Sequence, residues 1–217
     1  KANSNLGVLR LLTRDGAGFD VVSGGELKRV AVAAKSRLRK TVFSGVGKTA
    51  DELDAALRAG ILLFNIESEE ELELLAERAA ILKKRARVAV RVNPDVSAET
   101  QPYISTGLQE HKFGVAMSDA ARLYRTAAEH PRLEVAGVSV HIGSQITDMA
   151  PFRAAMQRVA ELVRELRGRG HKIKYVDAGG GLGIEYGPSE RPATLPGQSI
   201  KAFEERVCAY ATAIVSA

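Results

Sequence analysis

Three glycines in a row, Gly179, Gly180 and Gly181, follow an apolar segment that ends at Asp177. Without a Cβ, consecutive glycines let main-chain N–H groups approach an anion closely, which is typical of a phosphate-binding loop. The same glycines are equally compatible with a tight turn that binds nothing. The triplet therefore makes a phosphate one candidate ligand. Reactive or polar residues in the other segments would indicate what else the ligand carries.

Polar residues follow the other short apolar segments in the same way. They include Ser23, Glu26, Ser44, Lys48, Asn65, Glu67, Arg91, Asn93, His141, Ser144 and Gln145. If the segments are strands of a parallel barrel, all of these residues lie at one mouth and can line a single site. Phosphate donors, one imidazole, one guanidinium and the amine of Lys1 suit a phosphorylated cofactor bound through a lysine, namely pyridoxal 5'-phosphate (PLP).

The elements that would position these residues alternate between short β-branched runs and longer amphipathic stretches. The predicted strands are Phe19–Ser23, Thr41–Ser44, Leu62–Ile66, Val88–Val92, Val135–His141 and Ile173–Asp177. The predicted helices are Thr49–Ala59, Glu69–Lys84, Ser118–Glu129 and Pro151–Arg169. Thr49, Ser68 and Ser118 are expected to cap the starts of three of them. Residues 93–114 and 185–200 form long connections, which in compact domains usually cover a site.

Repeated strand and helix units predict an α/β fold of the TIM-like (β/α)8 barrel type that binds PLP. An open doubly wound sheet is the alternative, but it needs a glycine fingerprint after the first strand, whereas this glycine run comes last. Six predicted strands do not close a barrel of eight. We therefore expect residues 1–217 to be a partial barrel domain, truncated at both ends, with one strand missing before Lys1.

Composition excludes several other classes. The chain has 217 residues, 45% of them hydrophobic, and a formal charge of +5, but Lys and Arg are scattered along helices and there is no Trp for base stacking. We expect neither nucleic-acid binding nor a membrane span. A single cysteine, Cys208, and four histidines without ligand spacing argue against a metal site and agree with a cytoplasmic protein.

Seven motifs, taken in order, resemble those of the diaminopimelate decarboxylase family, a group of PLP barrel enzymes related to alanine racemase. The matching segments are Lys1–Asn5, Gly18–Leu27, Arg91–Asp95, Tyr103–Gly107, Lys112–Gly114, His141–Gln145 and Asp177–Gly183. The resemblance runs from the first residue to about residue 187 and so covers most of the chain.

The resemblance implies roles for individual residues. Lys1 matches the lysine that binds PLP covalently, and His141 matches the histidine that lies against the pyridine ring. Ser144 and the triplet Gly179–Gly181 match the phosphate clamp. Asp20 and Arg91 match a carboxylate and an arginine that surround the cofactor.

The family also implies segments beyond Ala217: a Glu-Pro-Gly-Arg motif and a C-terminal β domain, whose cysteine is not Cys208. A homodimer with shared active sites is expected.

The implied activity is the PLP-dependent decarboxylation of meso-2,6-diaminopimelate to L-lysine, for which this partial domain alone would be incomplete. An arginine- or ornithine-type decarboxylase of the same fold, or a relative that binds PLP without catalysis, remains an alternative.

The candidate residues also have purely structural interpretations. Asp20 and Arg91 are equally compatible with an ion pair at the barrel mouth. The segment Ser44–Thr49 resembles a phosphate loop, yet Lys48 and Thr49 are better explained as a helix start, since Val42 stands where the first glycine is needed. The acidic run Glu69–Glu71 is expected to be a solvated first turn that complements the helix dipole.

Overall fold

The computed structural model describes residues 3–96, 113–183 and 197–216. Within these ranges the strands are β1 (Phe19–Val21), β2 (Thr41–Phe43), β3 (Leu63–Ile66), β4 (Ala86–Asn93), β5 (Val115–Ala116), β6 (Leu133–Val140) and β7 (Tyr175–Asp177). The helices are α1 (Leu6–Arg14), α2 (Gly24–Ala34), α3 (Ala50–Ala59), α4 (Glu69–Ile81), α5 (Met117–Glu129), α6 (Ala150–Gly168) and α7 (Gly197–Val215), with a 3-10 turn at Lys35–Lys40. No helix in these ranges is both long and apolar enough to cross a membrane.

All strand pairs in the sheet are parallel. The order is β1-β2-β3-β4-β6-β7, with the two-residue β5 also paired to β4. Each strand thus lies beside the next one along the chain, as in a barrel, whereas a doubly wound sheet reverses direction at an internal strand. The predicted parallel barrel-type fold is confirmed, and the described strands form part of such a barrel.

One hydrogen bond shows that the sheet is curved. The side-chain amide of Asn65 on β3 donates to the Asp177 carboxylate on β7 over 2.6 Å, although β4 and β6 lie between these strands. In a flat sheet, three strand spacings of roughly 4.8 Å would hold the two backbones about 14 Å apart. The strands therefore curl around an interior into which both side chains point.

The two faces of the sheet are packed differently. Outward-facing residues such as Val88, Val90 and Val92 belong to the large core formed with the helices. Inside the barrel, Leu63, Ala89 and Ala136 form a small separate apolar cluster. Polar residues lie between this cluster and the carboxyl ends of the strands. The barrel interior is therefore apolar at the cluster and polar near the mouth.

A bulge in β6 sets which of its residues face that interior. The β4–β6 register shifts by one residue after Val88, so that Ala89 lies opposite Gly137. The buried hydroxyl of Tyr124 fills the gap by donating to Gly137 O at 2.7 Å and accepting from Val90 N at 3.3 Å. Burial raises the pKa of this phenol.

The helix starts agree only in part with expectation. Thr49 forms a capping box with Glu52, and Ser68 accepts from the Glu71 amide, as predicted. The predicted cap at Ser118 is wrong, because α5 starts one residue earlier, after Ala116, without a side-chain cap. Helices α1 and α2 were not predicted, and Ser23 caps α2. Most of the expected connection 93–114 lies outside the described residues, and α7 begins within the expected connection 185–200.

Lys48 forms a buried ion pair that corrects one sequence interpretation. Its ammonium donates to Glu71 at 2.6 Å and to the carbonyls of Gly45 and Asn65 at 2.7 Å each. Glu71 therefore does not belong to a solvated first turn, in contrast to the prediction for Glu69–Glu71. With its three hydrogens engaged, Lys48 is a structural residue and not the lysine of a phosphate loop. Burial raises the pKa of the Glu71 carboxyl, and the Lys48 ammonium offsets this only in part.

Replacing Lys48 by methionine is expected to lower the free energy of unfolding by about 3–5 kcal/mol at pH 8, because the substitution leaves a buried carboxylate unpaired. A pKa raised in the folded state means that stability falls as the pH rises from 4.5, the ordinary Glu value, through the raised pKa. The loss should therefore shrink in acid. Urea unfolding followed by circular dichroism at several pH values measures it.

The matched control is Arg122→Ala, which breaks the exposed pair between Arg122 and Glu69. Solvent screens this pair, so its removal should leave the unfolding midpoint almost unchanged. If both substitutions lowered the free energy of unfolding equally, burial of the Lys48–Glu71 pair would not increase its contribution to stability.

Candidate cofactor site

The carboxyl ends of the strands place most of the predicted site residues along one rim. Asp20 lies on β1, Arg91 on β4, and His141 directly after β6. Ser144 is exposed in the loop after His141, and the glycine triplet follows β7. Lys1, the predicted cofactor-binding lysine, lies outside the described residues.

The loops after β6 and β7 are joined to one another. Ile146 N donates to Gly181 O, and Gly183 N donates back to Ile146 O, both over 2.9 Å. Closer to the strands, Gly180 N donates to His141 Nδ1 at 3.3 Å. The histidine and the glycine triplet, 39 residues apart in sequence, are therefore direct neighbours.

Two of the three glycines are required by the space around them. A Cβ on Gly179 would lie 2.5 Å from Val140 O, and one on Gly181 would lie 2.1 Å from Gly143 O. Both also have positive φ angles, +70° and +107°. Gly180 differs, because a Cβ there would meet nothing within 4 Å. The loop is thus closed on its protein side and open at Gly180.

The triplet does not offer three equivalent amides. Gly179 N donates to Asp177 Oδ1 at 2.9 Å, so this amide fixes the turn, in contrast to the expectation of three bare N–H groups. The Gly180 amide is held by a longer bond to His141. An anion in this loop would accordingly be bound by the Gly181 amide and, in exchange for the long bond to His141, by the Gly180 amide.

His141 presents an exposed ring beside this loop. Its Nδ1 accepts from Gly180 N, an arrangement that fits the tautomer with the proton on Nε2. A neutral, exposed ring can lie flat against another aromatic ring.

Arg91 is paired with Glu67 and not, as one interpretation had it, with Asp20. One guanidinium nitrogen of Arg91 contacts both Glu67 carboxylate oxygens, at 2.8 and 2.9 Å. The Glu67 side chain is 2% exposed and that of Arg91 is 14% exposed. Arg91 Nε is buried without a hydrogen-bond partner among the described residues, and its guanidinium lies 5.7 Å from the exposed Phe113 ring. The pair holds a cation at the rim with one donor unused.

A line of hydrogen bonds crosses the barrel interior below the rim. Ser44 donates to Asp20 at 2.6 Å, Asn65 donates to Ser44 at 2.9 Å and to Asp177 at 2.6 Å, and Ser139 lies 3.4 Å from Asp177. Asn65 is 2% exposed, and its Oδ1 is buried without a partner in the described part of the chain. The sequence places Asn65, Ser44 and Asp177 at strand ends, but it did not indicate this hydrogen-bonded line.

Helix α7 also reaches the glycine loop, which the sequence did not indicate. Tyr210 Oη donates to Gly179 O at 3.2 Å, and its ring packs edge-on against Phe152. Burial, with a smaller contribution from Asp177, raises the pKa of the Tyr210 phenol.

These features fit a ligand that carries a phosphate and an aromatic ring. The glycine loop has an open side at Gly180, where a Cβ would meet nothing within 4 Å, and His141 lies next to it. Within the described part of the chain, the buried Arg91 Nε and Asn65 Oδ1 add one donor and one acceptor without a hydrogen-bond partner. Among residues 3–96, 113–183 and 197–216, no group of three or more His, Cys, Asp or Glu side chains is arranged to hold a metal ion.

Comparison with known proteins agrees with this fit. Residues 1–214 match the family described as pyridoxal-dependent decarboxylase, pyridoxal binding domain. The chain is 54% identical over 207 residues to diaminopimelate decarboxylase of Pseudomonas aeruginosa, covering 95% of this chain and 49% of the relative. It is 53% identical over 208 residues to the enzyme of Pseudomonas fluorescens, with the same coverage.

Among solved structures, diaminopimelate decarboxylase of Helicobacter pylori complexed with L-lysine superposes with a TM-score of 0.82 at 38% identity. That match covers 98% of this chain and 52% of the other. The chain thus spans about half the length of the curated relatives it matches. A family match over nearly every residue, together with a parallel barrel sheet whose rim fits PLP, shows that this chain belongs to the pyridoxal-dependent decarboxylases and carries their pyridoxal binding domain.

Proposed function

We propose that the protein carrying this chain decarboxylates meso-2,6-diaminopimelate to L-lysine and CO2 with PLP as its cofactor. The observation that carries the proposal is the junction of His141 with the glycine triplet in a chain 54% identical to a diaminopimelate decarboxylase. A solved relative of the same name, complexed with L-lysine, supports the product.

In this proposal, bound PLP supplies an electron sink for the pair of electrons left on the α-carbon when CO2 departs. Lys1 binds the cofactor covalently. The Gly180 and Gly181 amides, with Ser144, hold the phosphate through charge-assisted hydrogen bonds, and Gly179 keeps the loop in shape. His141 lies against the cofactor ring and fixes its plane.

Two further rim residues surround the cofactor in this proposal. Arg91, held by Glu67, places a cation next to it, and Asp20 places a carboxylate on the opposite side of the mouth.

We further propose that residues 1–217 form a partial barrel domain of a longer protein. A homodimer with shared active sites and a cytoplasmic location, both expected from the family, stay predictions. The lone Cys208, exposed on α7, is compatible with a reducing compartment.

The activity is tested by substrate turnover. The full-length protein, supplied with PLP, should release CO2 from meso-diaminopimelate and form L-lysine, with at most trace release from L-arginine or L-ornithine. Manometry or a coupled CO2 assay measures the rates, and mass spectrometry identifies the product. Faster turnover of arginine or ornithine would refute the substrate assignment, and visible absorbance of bound PLP without any CO2 release would refute catalysis.

Covalent labelling tests the lysine. Borohydride reduction of the protein with bound PLP should place a pyridoxyl group on Lys1, detected by peptide mass analysis. Lys48 provides an internal control, because it is a second lysine near the strand ends but is buried with its three hydrogens engaged. A label on Lys48, or on any lysine other than Lys1, would contradict the assignment.

Substitution of Gly180 by alanine tests the phosphate loop. A Cβ at this position meets no protein atom within 4 Å, so the thermal midpoint of the PLP-free protein should not change. The same Cβ would occupy the open side of the loop, so the dissociation constant for PLP should rise about tenfold, the equivalent of one charge-assisted hydrogen bond.

Gly168→Ala at the end of α6 is the matched control, since a Cβ there also meets nothing within 4 Å and the position lies on a helix, outside the glycine loop. It should alter neither the midpoint nor PLP affinity. If the Gly180→Ala variant bound PLP with unchanged affinity, the proposal that the glycine loop binds the cofactor phosphate would be wrong.

A further inference from the structure

We propose that Asn65 is a positioning residue that acts through Asp177 to hold the glycine loop in its phosphate-binding shape. The inference rests on the proposed function, because it concerns the same cofactor site. Asn65 itself lies on β3, three strands away from β7 and its loop, and belongs to the buried line of hydrogen bonds that crosses the barrel.

The argument begins with the Asp177 carboxylate. One of its oxygens, Oδ1, accepts from Gly179 N at 2.9 Å and so fixes the first residue of the loop. The other, Oδ2, accepts from Asn65 at 2.6 Å and lies 3.4 Å from Ser139 Oγ. The orientation of the carboxylate, and with it the turn at Gly179, therefore depends on the donor that Asn65 supplies from β3.

Charge gives this contact its importance for an anion. A carboxylate next to a phosphate site repels the phosphate by an energy that depends on distance, so the position of its oxygens relative to the loop matters. Asn65 binds Oδ2 on the interior side, and only Oδ1 reaches the loop. A neutral donor suits this task, because it satisfies the carboxylate without adding a second charge to the interior.

The second amide hydrogen of Asn65 fixes its own orientation. It donates to Ser44 Oγ at 2.9 Å, and Ser44 in turn donates to Asp20 at 2.6 Å. Both hydrogens are thus directed toward carboxylates on opposite sides of the barrel, one directly and one through a hydroxyl. With 2% exposure, the Asn65 side chain is enclosed by the protein.

Several charged groups lie on the elements around Asn65, and the two cations among those described are each paired with a glutamate. The charged groups are Asp20 on β1, Lys48 after β2, Glu67 after β3, Glu71 on α4, Arg91 on β4 and Asp177 on β7. Lys48 is bound to Glu71, and Arg91 is bound to Glu67. A negative charge introduced at position 65 would therefore face Asp177 with both nearby cations engaged.

This arrangement gives a specific test with Asn65→Asp, which keeps the shape of the side chain but replaces the donor by a carboxyl. Two carboxyls this close raise the pKa of one of them, so they share a proton in acid and repel each other once that proton is lost. The affinity for PLP should be about tenfold below wild type at pH 8.5 and should return toward wild type at pH 5.5. Asn65→Leu cannot donate at any pH and should lose affinity at both.

The measurement is the dissociation constant for PLP of the full-length protein, followed by the visible absorbance of the bound cofactor, with wild type titrated at each pH as the reference. Ser139→Ala, which removes only the 3.4 Å contact to Asp177, is the matched control and should change affinity less than twofold, in keeping with so long a hydrogen bond. Circular dichroism of the PLP-free variants at both pH values establishes that they are folded.

A loss of affinity in Asn65→Asp that is the same at both pH values, or no loss at all, would overturn the inference while leaving the proposed function in place. Wild-type protein that fails to bind PLP would refute the proposed function itself, and the inference with it.

Discussion

The site depends on the curvature of a wholly parallel sheet. Parallel strands bring all their carboxyl ends to one edge, and curling closes the distance between strands that are not neighbours. The 2.6 Å hydrogen bond between Asn65 and Asp177 is possible only in a curled sheet, and it connects the first half of the chain to the glycine loop. The loops after β6 and β7 are then joined locally through Ile146 and Gly181. Long-range curvature and short-range loop pairing thus act together to form the rim.

The bulge in β6 changes which side chains of this strand face the interior of the barrel at the rim. With strict alternation from Val135, residues 137, 139 and 141 would share its outward face. One extra residue moves Ser139 and His141 to the interior and keeps Val138 and Val140 in the outer core. The bulge leaves ladder groups unpaired, and the Tyr124 hydroxyl satisfies them from α5. The outer helix α5 therefore stabilises the bulge that turns His141 toward the interior of the barrel.

Local patterns were sufficient to predict six of the seven described strands and four of the helices, because alternation and helical periodicity are properties of consecutive residues. The two-residue strand β5 was missed, since Val115 and Ala116 are too few to show a pattern. Helix α2 was missed since Ser23, Gly24 and Gly25 are also typical of a turn, and only the structure shows Ser23 capping a helix. The partners of the charged residues were beyond local patterns altogether. Arg91 was weighed against Asp20, but it pairs with Glu67, 24 residues away, because β3 and β4 are adjacent in the sheet. Pairings of this kind are set by topology and burial, which a single sequence does not contain.

The cations near the rim are paired with carboxylates, whereas the Asp177 carboxylate is bound by neutral donors. This difference determines which groups can bind a phosphate at the mouth of the barrel. The cations Lys48 and Arg91 are each neutralised by a buried glutamate, so neither acts as a separate anion-binding charge. Asp177 is instead held by neutral donors, which leave its charge in place. A phosphate in the glycine loop must accordingly be bound by main-chain amides, whose direction is set by the backbone and not by a mobile side chain. Binding of that kind is only as precise as the turn that carries the amides, which is why a buried amide three strands away can influence it.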